Sequence, residues 1–95
     1  QPEADNCLHT YWMVNVILKN GINRESLRQK IESKGIETRP MFYPVHTMPM
    51  YSRQFEINSI SEDLGWRGLN LPSWPGLEDE ALEFIVKTVK ESLIE

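Results

Sequence analysis

The sequence TRPMFYPVHTMPMY, which runs from Thr38 to Tyr51, fits neither a helical period nor a strand period. It holds three of the chain's six prolines, three of its four methionines and two of its three tyrosines. Irregular segments with such side chains either wrap a core or line a binding site. Both readings require regular elements of structure on either side of the segment.

The composition is that of an ordinary globular domain, with 40% hydrophobic and 25% charged residues. A length of 95 residues suits one domain or one part of a larger protein. The sequence begins at Gln1 without an initiator methionine or a signal-peptide pattern. We therefore expect a piece of a longer protein, although processing would leave the same trace.

Charge and hydropathy exclude some classes of partner. The net charge is −4 and the basic residues are scattered, whereas a nucleic-acid surface needs clustered lysine and arginine. No apolar run approaches the roughly 20 residues of a membrane-spanning helix, so no membrane partner is expected. The single cysteine, Cys7, cannot form an internal disulfide, which favours a cytoplasmic location.

The first half of the chain predicts a strand and a helix after a polar lead-in at residues 1–8. Residues 9–18 read HTYWMVNVIL, and their aromatic and β-branched side chains make both faces mostly apolar. This pattern predicts a central strand that is covered on both sides. A helix is predicted over residues 24–34, because Asn23 can cap its start and Gly35 can end it in a left-handed conformation.

The rest of the chain predicts four more regular elements around the irregular segment. A short strand over residues 36–39 should be interrupted by Pro40. A surface loop is expected at 52–59, a short helix at 61–66 and a brief strand at 69–72. The final helix carries one apolar stripe, formed by Leu77, Ala81, Leu82, Ile85, Val86, Val89 and Leu93.

This order of elements indicates an α/β fold of the α+β type, built in two layers. A short mixed or antiparallel sheet should carry the helices on one face. We expect residues 9–95 to form a single small domain after the lead-in.

Few side chains suggest chemistry by themselves. His9 and His46 lie far apart without a nearby set of cysteine or acidic ligands, so no metal site is predicted. A histidine among apolar residues is usually structural, but the prolines around Tyr43 and His46 would hold both side chains in fixed positions. Arg39, at a strand end, could reach an anionic ligand. Both readings of the segment remain open on these grounds.

The motif GIETRP at residues 35–40, continued by YPVHTMPMY at 43–51, resembles a known family. It is similar to the C-terminal domain of the pyridoxal-phosphate-dependent nucleotide-sugar aminotransferases, the DegT/DnrJ/EryC1/StrS family, and to perosamine synthase-like members in particular. HTYW at 9–12 and RGLNLPSWP at 67–75 resemble the family's opening strand and its last strand and turn. The resemblance covers nearly the whole chain in order.

The resemblance implies the type I aspartate-aminotransferase fold, with this chain as the small C-terminal domain. Family members transfer an amino group, usually from glutamate, to a nucleotide-linked keto-sugar. For this chain the resemblance implies a substrate of the 4-keto-6-deoxyhexose type. Pyridoxal phosphate would be bound by a large domain, whose lysine forms the Schiff base, in a homodimer. The implied partners are therefore that large domain, a second copy, glutamate and the nucleotide sugar.

The family motif also implies roles for particular residues. Tyr43 and His46, and with them Arg39, would bind the substrate. No lysine of this chain lies in the family's cofactor motif, so the chain should supply no catalytic or cofactor-binding residue and should be inactive alone. A surface that meets a large domain should expose Trp12, Met41 or Trp74 in the isolated chain. The alternatives are a different keto-sugar or cyclitol substrate, or a non-catalytic binding module with the same fold.

Overall fold

A computed structural model describes residues 3–52 and 58–94 of the chain. Three strands form one antiparallel sheet, and two long helices pack against it. The α+β expectation is thereby confirmed, with the antiparallel form of the sheet. The predicted loop at 52–59 lies mostly outside the described residues. The elements are β1 (Val14–Ile17), α1 (Arg24–Ser33), β2 (Arg39–Pro40), a 3-10 turn (Val45–Thr47), α2 (Ser59–Arg67), β3 (Gly68–Leu71) and α3 (Asp79–Ile94).

The strand order is β1-β3-β2, so β3 lies at the centre of the sheet. The prediction of a central strand over residues 9–18 was wrong, because β1 covers only Val14–Ile17 and forms an edge. Tyr11 has a φ of 49°, and its N–H donates a hydrogen bond to Nδ1 of His9 at 2.8 Å. This local turn ends the extended conformation before Trp12.

The second edge strand contains the proline that was expected to interrupt it. Pro40 pairs with Leu69 of β3, and Arg39 pairs with Asn70. A proline lacks the N–H that a central strand would need, but an edge strand can accommodate it. The N–H of Met41 donates to the carbonyl of Gly68 at 3.0 Å, which continues the pairing by one residue. The strand is therefore shifted from the predicted 36–39.

Helix α1 agrees with the predicted 24–34 to within one residue. The side chain of Asn23 accepts a hydrogen bond from the N–H of Ser26 at 2.9 Å, which caps the helix start. Gly35 has a φ of 87°, and its N–H donates to the carbonyl of Glu32 at 2.9 Å. Local sequence was sufficient to predict this element because both of its ends are fixed by nearby side chains.

The hydrophobic core lies between the sheet and the helices α1 and α3. Ile31 of α1 and Leu69 of β3 are fully buried. Paired residues of an antiparallel sheet share a face, so Val16 lies on the same side as Leu69. The core residues are Leu18, Leu27, Ile31, Ile36, Leu69, Ile85 and Val89.

Helix α3 buries a narrower face than the sequence suggested. Its buried residues are Ile85, Thr88, Val89 and Ser92, which recur at helical spacing. Leu82, Val86 and Leu93 remain exposed, so the prediction of one buried apolar stripe was partly wrong. Two small polar residues outside the predicted stripe, Thr88 and Ser92, complete the buried face. Within the described residues, no helix is both long and apolar enough to cross a membrane.

Candidate functional site

The irregular segment packs against helix α2. The first N–H groups of this helix are capped by Asn58, whose side chain accepts from the N–H of Ser61 at 3.2 Å. The helix runs to Arg67 and passes directly into the central strand. It is longer than the predicted 61–66, because Asn58 starts it two residues earlier. The position of α2 is thus tied to that of the central strand.

One face of α2, formed by Glu62, Gly65 and Trp66, contacts the irregular segment; we call it the α2 docking face. Residues three and four apart lie on the same side of a helix. Glu62 Oε1 lies 2.8 Å from His46 Nε2. The ring of Trp66 packs against that of Tyr43, with centroids 5.5 Å apart and planes tilted by 54°. The two predicted pocket residues are therefore brought together on one helix.

Two glycines allow the segment to approach α2 closely. A Cβ on Gly65 would lie 2.9 Å from Cδ of Pro44 and 3.3 Å from the carbonyl oxygen of Phe42. A Cβ on Gly68 would lie 2.6 Å from Cβ of Met41. Gly68 has an ordinary φ of −77°, so it is required there for space and not for backbone freedom. We refer to residues 41–48 below as the anchored loop.

Two arginines attach α2 to the rest of the domain. Arg24 Nη1 donates to the carbonyls of Gly65 at 2.6 Å and Gly68 at 3.1 Å, at the end of the helix. Carbonyls there have no partner within the helix, so this cation satisfies them. Arg67 Nε donates to Asp63 Oδ1 at 2.6 Å, and Arg67 Nη1 donates to the carbonyl of Leu18. The docking face is thereby held in a fixed position.

Glu62 is an acceptor for two donors. Besides contacting His46, its Oε1 accepts from the backbone N–H of Asn58 at 3.3 Å. The hydrogen bond with His46, and after it the one from Asn58, lower the pKa of the Glu62 carboxyl. The hydrogen bond with Arg67 lowers the pKa of Asp63 in the same way. Both carboxylates of the first part of α2 are thus stabilised in their ionised form.

We predict that this pair of carboxylates makes the domain acid-sensitive. A group whose pKa is lowered by folding stabilises the folded state above its unfolded-state pKa, and that contribution disappears as the pH falls through the folded-state value. The urea midpoint of the 95-residue chain should therefore fall as the pH is lowered below about 4.5, the ordinary value for Glu62. The double variant Glu62→Gln/Asp63→Asn should have a lower midpoint than wild type at pH 7 and a flatter decline. A decline as steep in the double variant as in wild type would assign the sensitivity to other groups.

Arg39 lies apart from Tyr43 and His46 in this arrangement. It lines an open cleft of about 700 Å³, and neither Tyr43 nor His46 lines that cleft. Its guanidinium donates hydrogen bonds to Glu37 Oε1 at 3.2 Å, and its side chain is 76% exposed. The cleft is lined by Trp12, Met13, Gly35, Ile36, Glu37, Arg39, Pro40, Phe42, Asn70, Leu71, Pro72, Ser73, Trp74, Ala81, Phe84 and Ile85.

Sequence reasoning missed two polar residues of this region. Glu62 was not among the candidate residues, because its contact with His46 spans 16 residues and leaves no local pattern. Asn70 is only 4% exposed, lines the cleft, and its Oδ1 has no hydrogen-bond partner in the described residues. For Asn70 a signal was available in the sequence, because a polar residue stands between two leucines in a predicted strand.

The aromatic residues of the cleft rim are exposed, as expected for a surface that meets another domain. Trp12 is 74% exposed and stacks on Phe42 with ring centroids 6.3 Å apart, and Trp74 is 57% exposed. The expectation of exposure at Trp12, Met41 or Trp74 is confirmed for the two tryptophans. Met41 is partly buried, because it packs against Gly68.

The described residues do not by themselves fit a pyridoxal phosphate centre. None of the five lysines is buried and none lines the cleft, so no enclosed amine is available to the cofactor. No group of three histidine, cysteine or acidic residues in the described ranges could hold a metal ion. The anchored loop, held against α2, instead presents side chains that can form hydrogen bonds with a ligand.

Comparisons with known proteins find related sequences and a related structure. The sequence profile of the DegT/DnrJ/EryC1/StrS aminotransferase family matches residues 1–90. The chain is 51% identical over 89 residues to GDP-perosamine synthase of Escherichia coli O157:H7, which covers 94% of this chain and 24% of that protein. GDP-perosamine synthase of Vibrio cholerae is 39% identical over 92 residues, covering 93% of this chain and 25% of that protein.

A solved structure shares the fold. It is a DegT DnrJ EryC1 StrS aminotransferase from Brucella abortus, with a TM-score of 0.70 and 22% identity, and the match covers 83% of this chain and 21% of that one. The chain spans about a quarter of the length of the curated relatives that it matches. On the match of residues 1–90, the chain belongs to the DegT/DnrJ/EryC1/StrS aminotransferase family.

Proposed function

We propose that this chain is the C-terminal domain of a pyridoxal-phosphate-dependent aminotransferase that acts on a nucleotide-linked keto-sugar of the 4-keto-6-deoxyhexose type, with glutamate as the amino donor. The observation that carries the proposal is the 51% identity to a GDP-perosamine synthase over 94% of this chain. An alignment of that length includes the anchored loop and the docking face beneath it. The domain would contribute one wall of the substrate site.

The anchored loop has the properties that such a wall needs. Tyr43 is exposed, and His46 keeps 20% of its side chain accessible while both are held by α2. Hydroxyl and imidazole groups form hydrogen bonds with sugar hydroxyls and with phosphate oxygens. Holding them against a helix before the ligand arrives reduces the entropy lost on binding. Arg39, at the cleft, would pair with the diphosphate through its exposed guanidinium.

The cofactor and the remaining site residues would come from the rest of the protein. Pyridoxal phosphate, when bound, supplies an electron sink for the transfer of the amino group. The residues of this chain would bind and orient the sugar nucleotide and exclude water on their side of the site. The large domain would cover the exposed tryptophans of the cleft rim, and a second copy would complete a homodimer. A cytoplasmic location belongs to the same proposal.

The function is tested with the full-length protein, pyridoxal phosphate, glutamate and a panel of nucleotide-linked keto-sugars, with products identified by mass. We expect a GDP-linked 4-keto-6-deoxyhexose to gain an amine in place of its carbonyl oxygen. The same mixture without glutamate is the control and should give no amine. Amination of a different keto-sugar or a cyclitol would change the substrate, whereas nucleotide-sugar binding without turnover would support a binding module instead.

A further inference from the structure

Glu62 determines which ring nitrogen of His46 carries a hydrogen. A carboxylate can only accept hydrogen bonds, and His46 Nε2 lies 2.8 Å from Glu62 Oε1. A hydrogen on Nε2 is therefore required for this contact. In the neutral imidazole the other nitrogen, Nδ1, then has no hydrogen and carries a lone pair. No polar atom of the described residues forms a hydrogen bond with Nδ1, so that lone pair is available to a ligand.

The rest of the docking face keeps the imidazole in this orientation. The same Glu62 oxygen accepts from the backbone of Asn58, which fixes the carboxylate at the start of α2. Pro44 is buried close to Gly65, and Tyr43 packs on Trp66, so the loop is held at two points just before the contact. Reversal of the ring would exchange Nε2 with Cε1 and lose this hydrogen bond, and the other tautomer would place the lone pair of Nε2 against the carboxylate, so both are unfavourable.

We propose that Glu62 is a positioning residue that presents His46 Nδ1 as a hydrogen-bond acceptor, so that His46 recognises a hydroxyl group of the sugar. Phosphate oxygens and the keto oxygen are acceptors only, and a neutral His46 in this tautomer would form no hydrogen bond with them. A sugar hydroxyl can donate to Nδ1. This inference rests on the proposed function, because it takes the anchored loop as a wall of the nucleotide-sugar site.

The tautomer is measured first, in the full-length protein with ¹⁵N-labelled histidine. The ring signals of His46 are assigned by their loss in His46→Gln. We expect wild type to carry the hydrogen on Nε2, and Glu62→Ala to give a mixture of tautomers. Ser59→Ala, at an exposed position in the first turn of the same helix, is the matched control and should leave the signals unchanged. A hydrogen on Nδ1 in wild type would overturn the proposal, and this readout needs no catalytic turnover.

Kinetics then test what Nδ1 does. The amide of an asparagine places a polar atom near the position of Nδ1, whereas that of glutamine reaches toward the position of Nε2. We therefore expect His46→Gln to raise the KM for the nucleotide sugar roughly three- to tenfold, and His46→Asn to raise it less. The KM for glutamate should change less than twofold in both variants. The loss of a single hydrogen bond to the nucleotide sugar would give the larger effect on the other KM.

Sugar analogues that lack one ring hydroxyl at a time complete the test. For the analogue that lacks the recognised hydroxyl, His46→Gln should bind as well as wild type, because the hydrogen bond is already absent. An equal loss in His46→Gln for every analogue would overturn the assignment to a hydroxyl. Failure of the proposed function looks different: the tautomer would be as expected, but the full-length protein would aminate no nucleotide sugar.

Discussion

Replacing Gly68 by alanine should lower the free energy of unfolding of the 95-residue chain by roughly 3 kcal/mol, at the upper end of the cost of overpacking a tight core. The added Cβ would lie 2.5 Å from the carbonyl oxygen of Leu64 and 2.6 Å from Cβ of Met41. Both neighbours belong to fixed parts of the structure, the last turn of α2 and the start of the anchored loop. To relieve this clash, the anchored loop would have to move away from the central strand.

Urea denaturation followed by far-UV circular dichroism measures this effect. Gly21→Ala is the matched control, because Gly21 has a φ of 90° and no atom lies within 4 Å of its added Cβ. That variant should lose only about 1 kcal/mol, the cost of a left-handed backbone for a residue with a side chain. Gly65→Ala should fall between the two, since its closest neighbour is the ring of Pro44 at 2.9 Å. A Gly68→Ala variant as stable as wild type would show that the loop does not pack on α2 as described.

Local sequence was enough to predict the elements whose ends are fixed by neighbouring residues. Helix α1 is the clearest case, because Asn23 and Gly35 lie immediately beside it and their roles depend on short-range hydrogen bonds. The first strand was placed wrongly because the turn at Tyr11 has no such signature. The apolar residues around it predicted burial on two faces, yet Trp12 is exposed in the chain alone.

The candidate site was only half predictable for the same reason. The family motif indicated Tyr43, His46 and Arg39. Nothing in it indicated that Tyr43 and His46 would pack on the same helix and that Arg39 would lie apart from them. The partners of the loop, Glu62 and Trp66, lie some 16 to 23 residues further on and contact it only through the packing of α2. Long-range contacts of this kind leave no periodic signal in a single sequence, so their roles had to come from the three-dimensional arrangement.

The second large effect concerns binding by His46. In the full-length enzyme, His46→Ala should raise the KM for the nucleotide sugar by roughly tenfold or more, because the variant loses the ligand hydrogen bond and leaves Glu62 without its partner. The KM for glutamate should change by less than about twofold, since the amino donor does not need the sugar wall. Ser59→Ala, at an exposed position of the same helix, serves as the control and should alter neither constant.

This comparison of the two KM values tests most directly whether the anchored loop is a wall of the nucleotide-sugar site. Steady-state kinetics are measured for wild type, His46→Ala and Ser59→Ala, with each substrate varied at a saturating level of the other. The account predicts a selective rise for the nucleotide sugar in His46→Ala. Equal changes for both substrates, or no change for either, would contradict it and would leave His46 as a structural residue that only ties the loop to α2.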